Sequence, residues 1–276
     1  IININESQMN GNNKPMIKSY SSFAKNRPTR IGGGICTAVH SSVKEQTVCV
    51  AEGGEDDEWL AVRLTHVSPA LTLVNCYGEQ EGSGRCSREE VVDRWGRLLK
   101  VLEAARLRGD HYLLIGDMNK HIGNDHLGVE GNTGEISAGG RLVRDLLQGG
   151  QWRLVNAMKE VVKGGPFTRR DPATGKESLL DLWLCTAGLA PHFTELYIDS
   201  GRKWLVARPV RKTGRLQLTH TDHYTMVASL ENLPAARVAR QEKEVRWKTG
   251  DKEGWERYRE NSKQVSEHIK RVVENK

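Results

Sequence analysis

The sequence contains the stretch His111-Tyr112-Leu113-Leu114-Ile115-Gly116-Asp117-Met118-Asn119, which predicts a strand that ends in polar residues. The stretch opens with a largely apolar run that continues unbroken to a glycine, which is the pattern of a buried strand. Asp117 then lies where the strand gives way to a loop. On an extended segment, side chains two residues apart face the same way, so Asp117 and Asn119 would present a carboxylate and an amide to one ligand. The alternative is a simple turn, because Asx side chains often hydrogen-bond to their own backbone.

A second acidic signature lies further along, in Ser178-Leu179-Leu180-Asp181-Leu182-Trp183-Leu184. The single carboxylate of Asp181 interrupts an apolar run. Such a group needs a histidine, an arginine or a metal close by, because desolvation otherwise disfavours its charged form.

The third signature, Thr221-Asp222-His223, supplies a histidine, and residues 224–228 continue as a predicted strand. A carboxylate beside an imidazole fixes one ring tautomer and favours the imidazolium, which suits a group that faces a developing phosphorane anion. The alternative is an ordinary Asp-His pair at a strand start. Together the three signatures predict a metal-dependent phosphodiesterase.

An early Glu, a Tyr, Gly-Asp-x-Asn, Ser-x-x-Asp and Thr-Asp-His occur in this order, and the set resembles the endonuclease/exonuclease/phosphatase superfamily, which includes DNase I and exonuclease III. Within it, the chain is most similar to the apurinic-type endonuclease domain of non-LTR retrotransposons. The resemblance also includes the glycine-rich stretch 32–39 and Phe167-Thr168. It implies a four-layer α/β sandwich, in which two mixed β-sheets pack face to face and are flanked by helices.

The same resemblance assigns the metal and phosphate residues. Glu6 matches the family's magnesium-binding Glu, and the expected cofactor is Mg²⁺, with Mn²⁺ as a substitute. Tyr77 matches the Tyr that reaches the scissile phosphate, although the Pro-Asn that usually follows it is absent. Asp222 matches a second metal-site or phosphate-side acid.

The resemblance further implies four catalytic roles. Asp117 matches the residue that activates the attacking water, and Asn119 matches the residue that positions the phosphate. Asp181 matches the carboxylate that orients the catalytic histidine, which here is His223. One departure concerns the start: the family opens with a strand that ends in a metal-site Asn, whereas Ile1 already matches the second strand. We therefore expect a fragment that lacks its first strand.

Composition agrees with one α/β domain at residues 1–233 followed by a basic helical tail or linker at residues 234–276. Helices are predicted over 88–108, with a capping box at Ser87 and Glu90, and over 139–147. Strands are predicted over 33–39, 47–51, 59–64, 70–77 and 111–115. No stretch has the length and apolarity of a membrane span or signal peptide, so we expect no membrane association. The five cysteines, without metal-ligand spacing, predict buried thiols in a reducing compartment.

The net charge of +6 is unevenly distributed. A basic stretch without acidic residues lies between Asp199 and Asp222, and its cations are Arg202, Lys203, Arg208, Arg211, Lys212 and Arg215. It leads directly to His223 and would hold a nucleic-acid backbone. The alternative is a solvated loop.

Two classes of function remain open at this point. The first is a Mg²⁺-dependent DNA endonuclease of a retrotransposon, which leaves a 3′-hydroxyl and a 5′-phosphate, works in the nucleus and adjoins a C-terminal reverse transcriptase. The second is a truncated or decayed fragment that binds nucleic acid without cutting it. A phosphodiesterase that acts on RNA is a narrower alternative.

Overall fold

The computed structural model describes residues 1–5, 7, 14–26, 34–55, 57–79, 87–123, 136–203, 206–209, 216–219 and 221–236. The strands of the described residues, in chain order, are β1 (Ile2–Asn5), β2 (Tyr20–Lys25), β3 (Ile35–His40), β4 (Thr47–Glu52), β5 (Trp59–Leu64), β6 (Leu71–Cys76), β7 (His111–Asp117), β8 (Trp152–Leu154), β9 (Val162–Lys163), β10 (Arg169–Arg170), β11 (Glu177–Ser178), β12 (Asp181–Thr186), β13 (Phe193–Ile198), β14 (Val206–Pro209), β15 (Leu216–Thr219) and β16 (Met226–Leu230). The α-helices are α1 (Arg88–Leu107) and α2 (Ala138–Gln148), and short 3-10 helices occur at Ser41–Gln46, Val155–Ala157 and Ala190–His192.

A six-stranded mixed sheet forms the centre of the fold, in the order β4-β5-β6-β7-β12-β8. Strands β6 and β7 are parallel, and the remaining neighbours are antiparallel. Every residue of β6 is buried, which is the pattern of a strand covered on both faces. The ends of β6 and β7 therefore meet at one edge of the sheet, which is where the candidate site residues lie.

Two smaller sheets cover one face of this central sheet. Their orders are β1-β3-β2 and β16-β13-β9, with β9 and β13 parallel. An apolar cluster joins Val62, Leu73 and Leu113 of the central sheet to Leu196 and Ile198 of β13. These contacts confirm the predicted packing of mixed sheets face to face.

Both described α-helices cover the opposite face of the central sheet. Helix α1 begins with the predicted capping box: the Ser87 side chain accepts from Glu90 N at 3.1 Å, and a Glu90 carboxylate oxygen accepts from Ser87 N at 2.6 Å. Its buried residues recur at three- and four-residue steps, which places one apolar stripe on the sheet; they are Val91, Trp95, Leu98, Leu102 and Ala105. Helix α2 ends at Gln148, directly before Gly149 and Gly150.

One prediction about the cysteines is wrong. Cys36, Cys76 and Cys185 are buried, but Cys49 is exposed. It lies in β4, the edge strand of the central sheet, where Val48 and Val50 are also exposed. Cys86 and residues 237–276 lie outside the described residues, so the helical tail stays a prediction. Of the helices in the described ranges, none combines the length and apolarity that crossing a membrane requires.

Candidate active site

Two carboxylates lie side by side where β7 ends and β12 begins. Asp117 is the last residue of β7, Asp181 is the first residue of β12, and the two are direct partners in the antiparallel ladder. Directly opposed residues point to the same face, with Cβ atoms about 5 Å apart. Asp117 is 5% exposed and Asp181 is 7% exposed. Two buried like charges at this separation require a counter-charge.

His223 supplies that counter-charge. Its Nδ1 lies 2.8 Å from Asp181 Oδ2, and its Nε2 lies 3.6 Å from Asp117 Oδ2. Burial by itself would lower the pKa of His223, but the carboxylates of Asp181, Asp117 and Asp222 together raise it to about 9. The ring is therefore an imidazolium at neutral pH. It donates its Nδ1 hydrogen to Asp181, which leaves the Nε2 hydrogen on the side of Asp117.

Two buried polar residues support this arrangement through hydrogen bonds to the backbone next to Asp181 and His223. Thr168 is fully buried, and its hydroxyl accepts from the backbone N–H groups of Leu180 and Asp181, each at 3.0 Å. Its carbonyl accepts from Tyr224 N at 2.7 Å. Asn156 donates to the Asp181 carbonyl at 3.2 Å. Sequence reasoning included Thr168 only as part of the resemblance and missed Asn156, because neither role leaves a local sequence pattern.

A turn, and not an extended segment, brings Asn119 next to Asp117. Its φ of 48° is left-handed. Its backbone N–H donates to Asp117 Oδ1 at 2.9 Å, and its side-chain amide donates to Asp117 Oδ2 at 3.3 Å and to the Gly78 carbonyl at 2.7 Å. The assumption of an extended segment was wrong, and the Asx turn left open as an alternative is present. The turn nevertheless joins the amide to the carboxylate.

Gly78 lets the loop that carries Tyr77 reach this turn. A Cβ on Gly78 would lie 2.2 Å from the Met118 carbonyl oxygen, which only glycine avoids. The Gly78 N–H donates to the Asp117 carbonyl at 2.7 Å, and Lys120 Nζ donates to the Glu79 carbonyl at 2.7 Å. The half-buried Tyr77 also donates its own N–H to the Glu58 carbonyl at 2.8 Å. Hydrogen bonds to the backbone of Tyr77 and of the two residues after it therefore fix this loop beside the end of β7.

Of the two predicted metal ligands, only Asp222 is described, since Glu6 lies outside the described residues. Asp222 Oδ2 accepts from Arg169 Nε at 3.2 Å. Burial would raise the pKa of Asp222, but His223 and Arg169 together hold it below its ordinary value. Asp222 is thus an ionised carboxylate that already contacts a cation.

The donor chemistry at this edge fits a hard divalent cation. Oxygen atoms of Asp117 and Asp181 and a ring nitrogen of His223 lie within 4.8 Å of one another. As an imidazolium, His223 cannot ligate a metal, which leaves oxygen donors of the kind Mg²⁺ prefers. Asn5 adds another: its Nδ2 lies 3.0 Å from the position of a Cβ on Gly116, and its buried Oδ1 has no hydrogen-bond partner among the described residues.

Part of the predicted basic stretch can be placed. Arg202 has a left-handed φ of 51°, and its guanidinium lies 5.6 Å from the ring centroid of Tyr224, the residue after His223. The Lys203 N–H donates to an Asp199 carboxylate oxygen at 3.0 Å. Only the backbone of Arg208 is described, in β14. Arg211, Lys212 and Arg215 lie outside the described residues.

No protein-family model matches the chain, and no curated protein matches its sequence. Solved structures do match. The 3′-5′ exonuclease NExo from Neisseria meningitidis has a TM-score of 0.60 at 14% identity, over 83% of this chain and 88% of that chain. The 3′ phosphatase NExo from Neisseria, bound to a product DNA hairpin, has a TM-score of 0.58 at 15% identity with the same coverage, 83% and 88%. An AP endonuclease from Archaeoglobus fulgidus has a TM-score of 0.57 at 16% identity, over 83% and 88%.

These similarities extend across most of both chains at low sequence identity, so they are similarities of fold. The order of the motifs and the packing of the sheets agree with them. The chain has the fold of the endonuclease/exonuclease/phosphatase superfamily.

Proposed function

We propose that this chain is a divalent-metal-dependent endonuclease that cleaves one strand of DNA. The observation that carries the proposal is the contact of one imidazolium, His223, with two buried carboxylates, Asp181 at 2.8 Å and Asp117 at 3.6 Å. A general base and a cationic stabiliser thus lie next to each other at the edge of the sheet. Phosphodiester hydrolysis needs both groups.

In this proposal Asp117 accepts the proton of the attacking water. Asn119 fixes the orientation of that carboxylate through its backbone N–H and its amide. His223 faces the charge that develops on the phosphorane oxygens, and Asp181 keeps the imidazolium in one orientation. Tyr77 contacts the scissile phosphate from the neighbouring loop. Positioning and charge stabilisation would supply most of the rate enhancement.

Magnesium is the cofactor we propose, with manganese as a substitute. Glu6 and Asn5 would hold it, and Asp222 would contact either the metal or the phosphate. The ion would act as a Lewis acid that neutralises charge on the phosphate.

DNA is the substrate we favour because the chain places basic residues next to the site. The Arg202 guanidinium lies 5.6 Å from the ring centroid of Tyr224, the residue after His223, and the remaining cations of the basic stretch come between Arg202 and His223 in the sequence. One structure of similar fold holds a product DNA hairpin. From the sequence resemblance we further propose a retrotransposon protein. Its nick would leave a 3′-hydroxyl and a 5′-phosphate in nuclear DNA, to prime a reverse transcriptase in the same polyprotein.

Nicking of supercoiled plasmid by the purified chain tests the proposal. Magnesium should support nicking, and a chelator should abolish it. Asp117→Asn and His223→Gln should each lower the rate by at least about 100-fold, whereas Asp145→Asn, on the exposed side of α2, should match the wild type. If the wild type binds DNA but never nicks it with magnesium or manganese, the chain is a binding module and the proposal is wrong.

A further inference from the structure

Arg169 lies directly beside His223, although none of the sequence signatures contains it. The two residues are partners in an antiparallel bridge. The Arg170 N–H donates to the Asp222 carbonyl at 2.8 Å, and the Tyr224 N–H donates to the Thr168 carbonyl at 2.7 Å. These bonds flank the bridge, so Arg169 and His223 form a non-hydrogen-bonded pair. In such pairs the Cα atoms are about 4.5 Å apart and the side chains share one face.

Asp222 anchors the Arg169 guanidinium through a single atom. Arg169 Nε donates to Asp222 Oδ2 at 3.2 Å. Arginine has five N–H donors in a planar fork, and within the described ranges the two terminal nitrogens of Arg169 have no hydrogen-bond partner. The side chain is 29% exposed. The fork is therefore oriented at one end and open to a ligand at the other.

Arg169 reduces the excess of negative charge that an anionic ligand would meet around His223. Three carboxylates, those of Asp117, Asp181 and Asp222, act on His223. One imidazolium does not offset three negative charges, so a phosphodiester would approach an acidic surface. Arg169 adds a permanent positive charge next to the imidazolium, with a planar fork that matches phosphate oxygens.

We infer that Arg169 is a phosphate-binding residue of this site, which contacts a non-bridging oxygen of the DNA phosphodiester beside His223. Asp222 is its positioning residue, which places that acid on the phosphate side of the site. The inference rests on the proposed function for the identity of the substrate. The position of Arg169 follows from its bridge to His223 and its bond to Asp222.

The chain provides a matched control in Arg170. It is the next residue of β10, carries the same charge, is exposed, and points to the opposite face of the strand. We expect Arg169→Gln to lower kcat/KM for plasmid nicking by about 100-fold, the usual effect of removing one donor to a developing oxyanion. Arg170→Gln should stay within about threefold of the wild type, as a surface charge does.

Two further measurements separate phosphate binding from a structural role. Guanidinium chloride at low concentration should restore nicking by Arg169→Ala and leave Arg170→Ala unchanged. In the presence of a chelator, where no strand is cut, the affinity for duplex DNA can be measured against salt concentration. Arg169→Gln should reduce the slope of log affinity against log salt by about the amount that one phosphate contact contributes. Thermal melting of each variant reports whether the fold is intact.

Equal nicking by the Arg169→Gln and Arg170→Gln variants, or the absence of guanidinium rescue in a folded Arg169→Ala protein, would overturn the inference. A wild type that binds DNA but does not nick it would refute the proposed function alone. The salt slope would then decide the role of Arg169: a slope reduced only in Arg169→Gln supports the inference, and an unchanged slope overturns it.

Discussion

The charge on His223 depends on Asp181, and Asp181→Asn tests this dependence directly. Asparagine keeps an oxygen that accepts the Nδ1 hydrogen of the ring and removes only the negative charge. In the wild type, the pKa of His223 is raised from 6.5 to about 9 against the opposing effect of burial, and Asp181 is the first of the groups that raise it. The variant should therefore hold its imidazolium over a narrower pH range.

The size of the change follows from the contact of 2.8 Å between the two side chains. A hydrogen bond to a charged group contributes about 1.5–3 kcal/mol, against about 1 kcal/mol for a neutral one. Burial and the proximity of the charges favour the upper end of that range, and one pH unit corresponds to about 1.4 kcal/mol. We expect the alkaline limb of the pH–rate profile to lie at a pH that is about one to two units lower in the variant than in the wild type.

The direction of the pKa shift of His223 determines how activity and stability change with pH. A group with a raised pKa contributes stability that is present below its ordinary pKa of 6.5 and lost as the pH rises through about 9. The wild type should therefore nick DNA up to about pH 9 and lose activity above it, and Asp181→Asn should lose activity earlier. The stability that this ion pair gives the wild type should likewise be present in mild acid and be lost as the pH rises through about 9.

Nicking rates across the neutral and alkaline range, together with an NMR titration of the His223 ring, provide the assay. Asp145→Asn removes an exposed carboxylate of α2 and serves as the control. If the ring of Asp181→Asn titrates at the same pH as that of the wild type, Asp181 does not determine the charge of His223, and the electrostatic account of the site is wrong.

Three further predictions address the supporting structure. Gly78→Ala should abolish nicking because its Cβ would lie 2.2 Å from the Met118 carbonyl oxygen. Gly96→Ala, whose Cβ would meet no atom within 4 Å beyond its own helix backbone and chain neighbours, should stabilise α1 by up to about 1 kcal/mol in urea unfolding. Thr168→Val should cost about 2–4 kcal/mol in the same assay, because two buried backbone N–H groups lose their acceptor; Thr168→Ser should restore most of it. A thiol reagent should modify Cys49 in the folded protein, and Cys49→Ser should lower the number of fast-reacting thiols by one; an unchanged number would contradict the exposure of Cys49.

Local patterns were sufficient to predict the elements that lead into the site. The run from His111 predicted β7, which ends at Asp117, and Ser87 with Glu90 predicted the start of α1. A lone carboxylate in an apolar run required a partner, and the structure provides His223 for Asp181. These predictions succeeded because each depends on residues close in sequence or on the general cost of burying a charge.

Contacts between distant segments could not be predicted in this way. Arg169 meets Asp222 across a separation of 53 residues, and β10 has only two residues, which is too short for any periodic pattern. At Asn119 the local sequence allowed both an extended segment and an Asx turn and did not decide between them; the left-handed φ of 48° shows the turn. Cys49 was assigned to the interior with the other cysteines because none of them has metal-ligand spacing, but β4 is an edge strand and most of its side chains are exposed.

The residues that disfavour folding at this site are the same residues that would carry out the proposed chemistry. Asp117 and Asp181 are opposed in the ladder and nearly buried, which by itself disfavours folding through repulsion and desolvation. His223 offsets this cost only while it carries a proton. The charge that stabilises the folded edge of the sheet is therefore the same charge that would stabilise a pentacoordinate phosphate. A phosphate held by Arg169 would further raise the proton affinity of His223, so substrate binding and the protonation of this ring should reinforce each other.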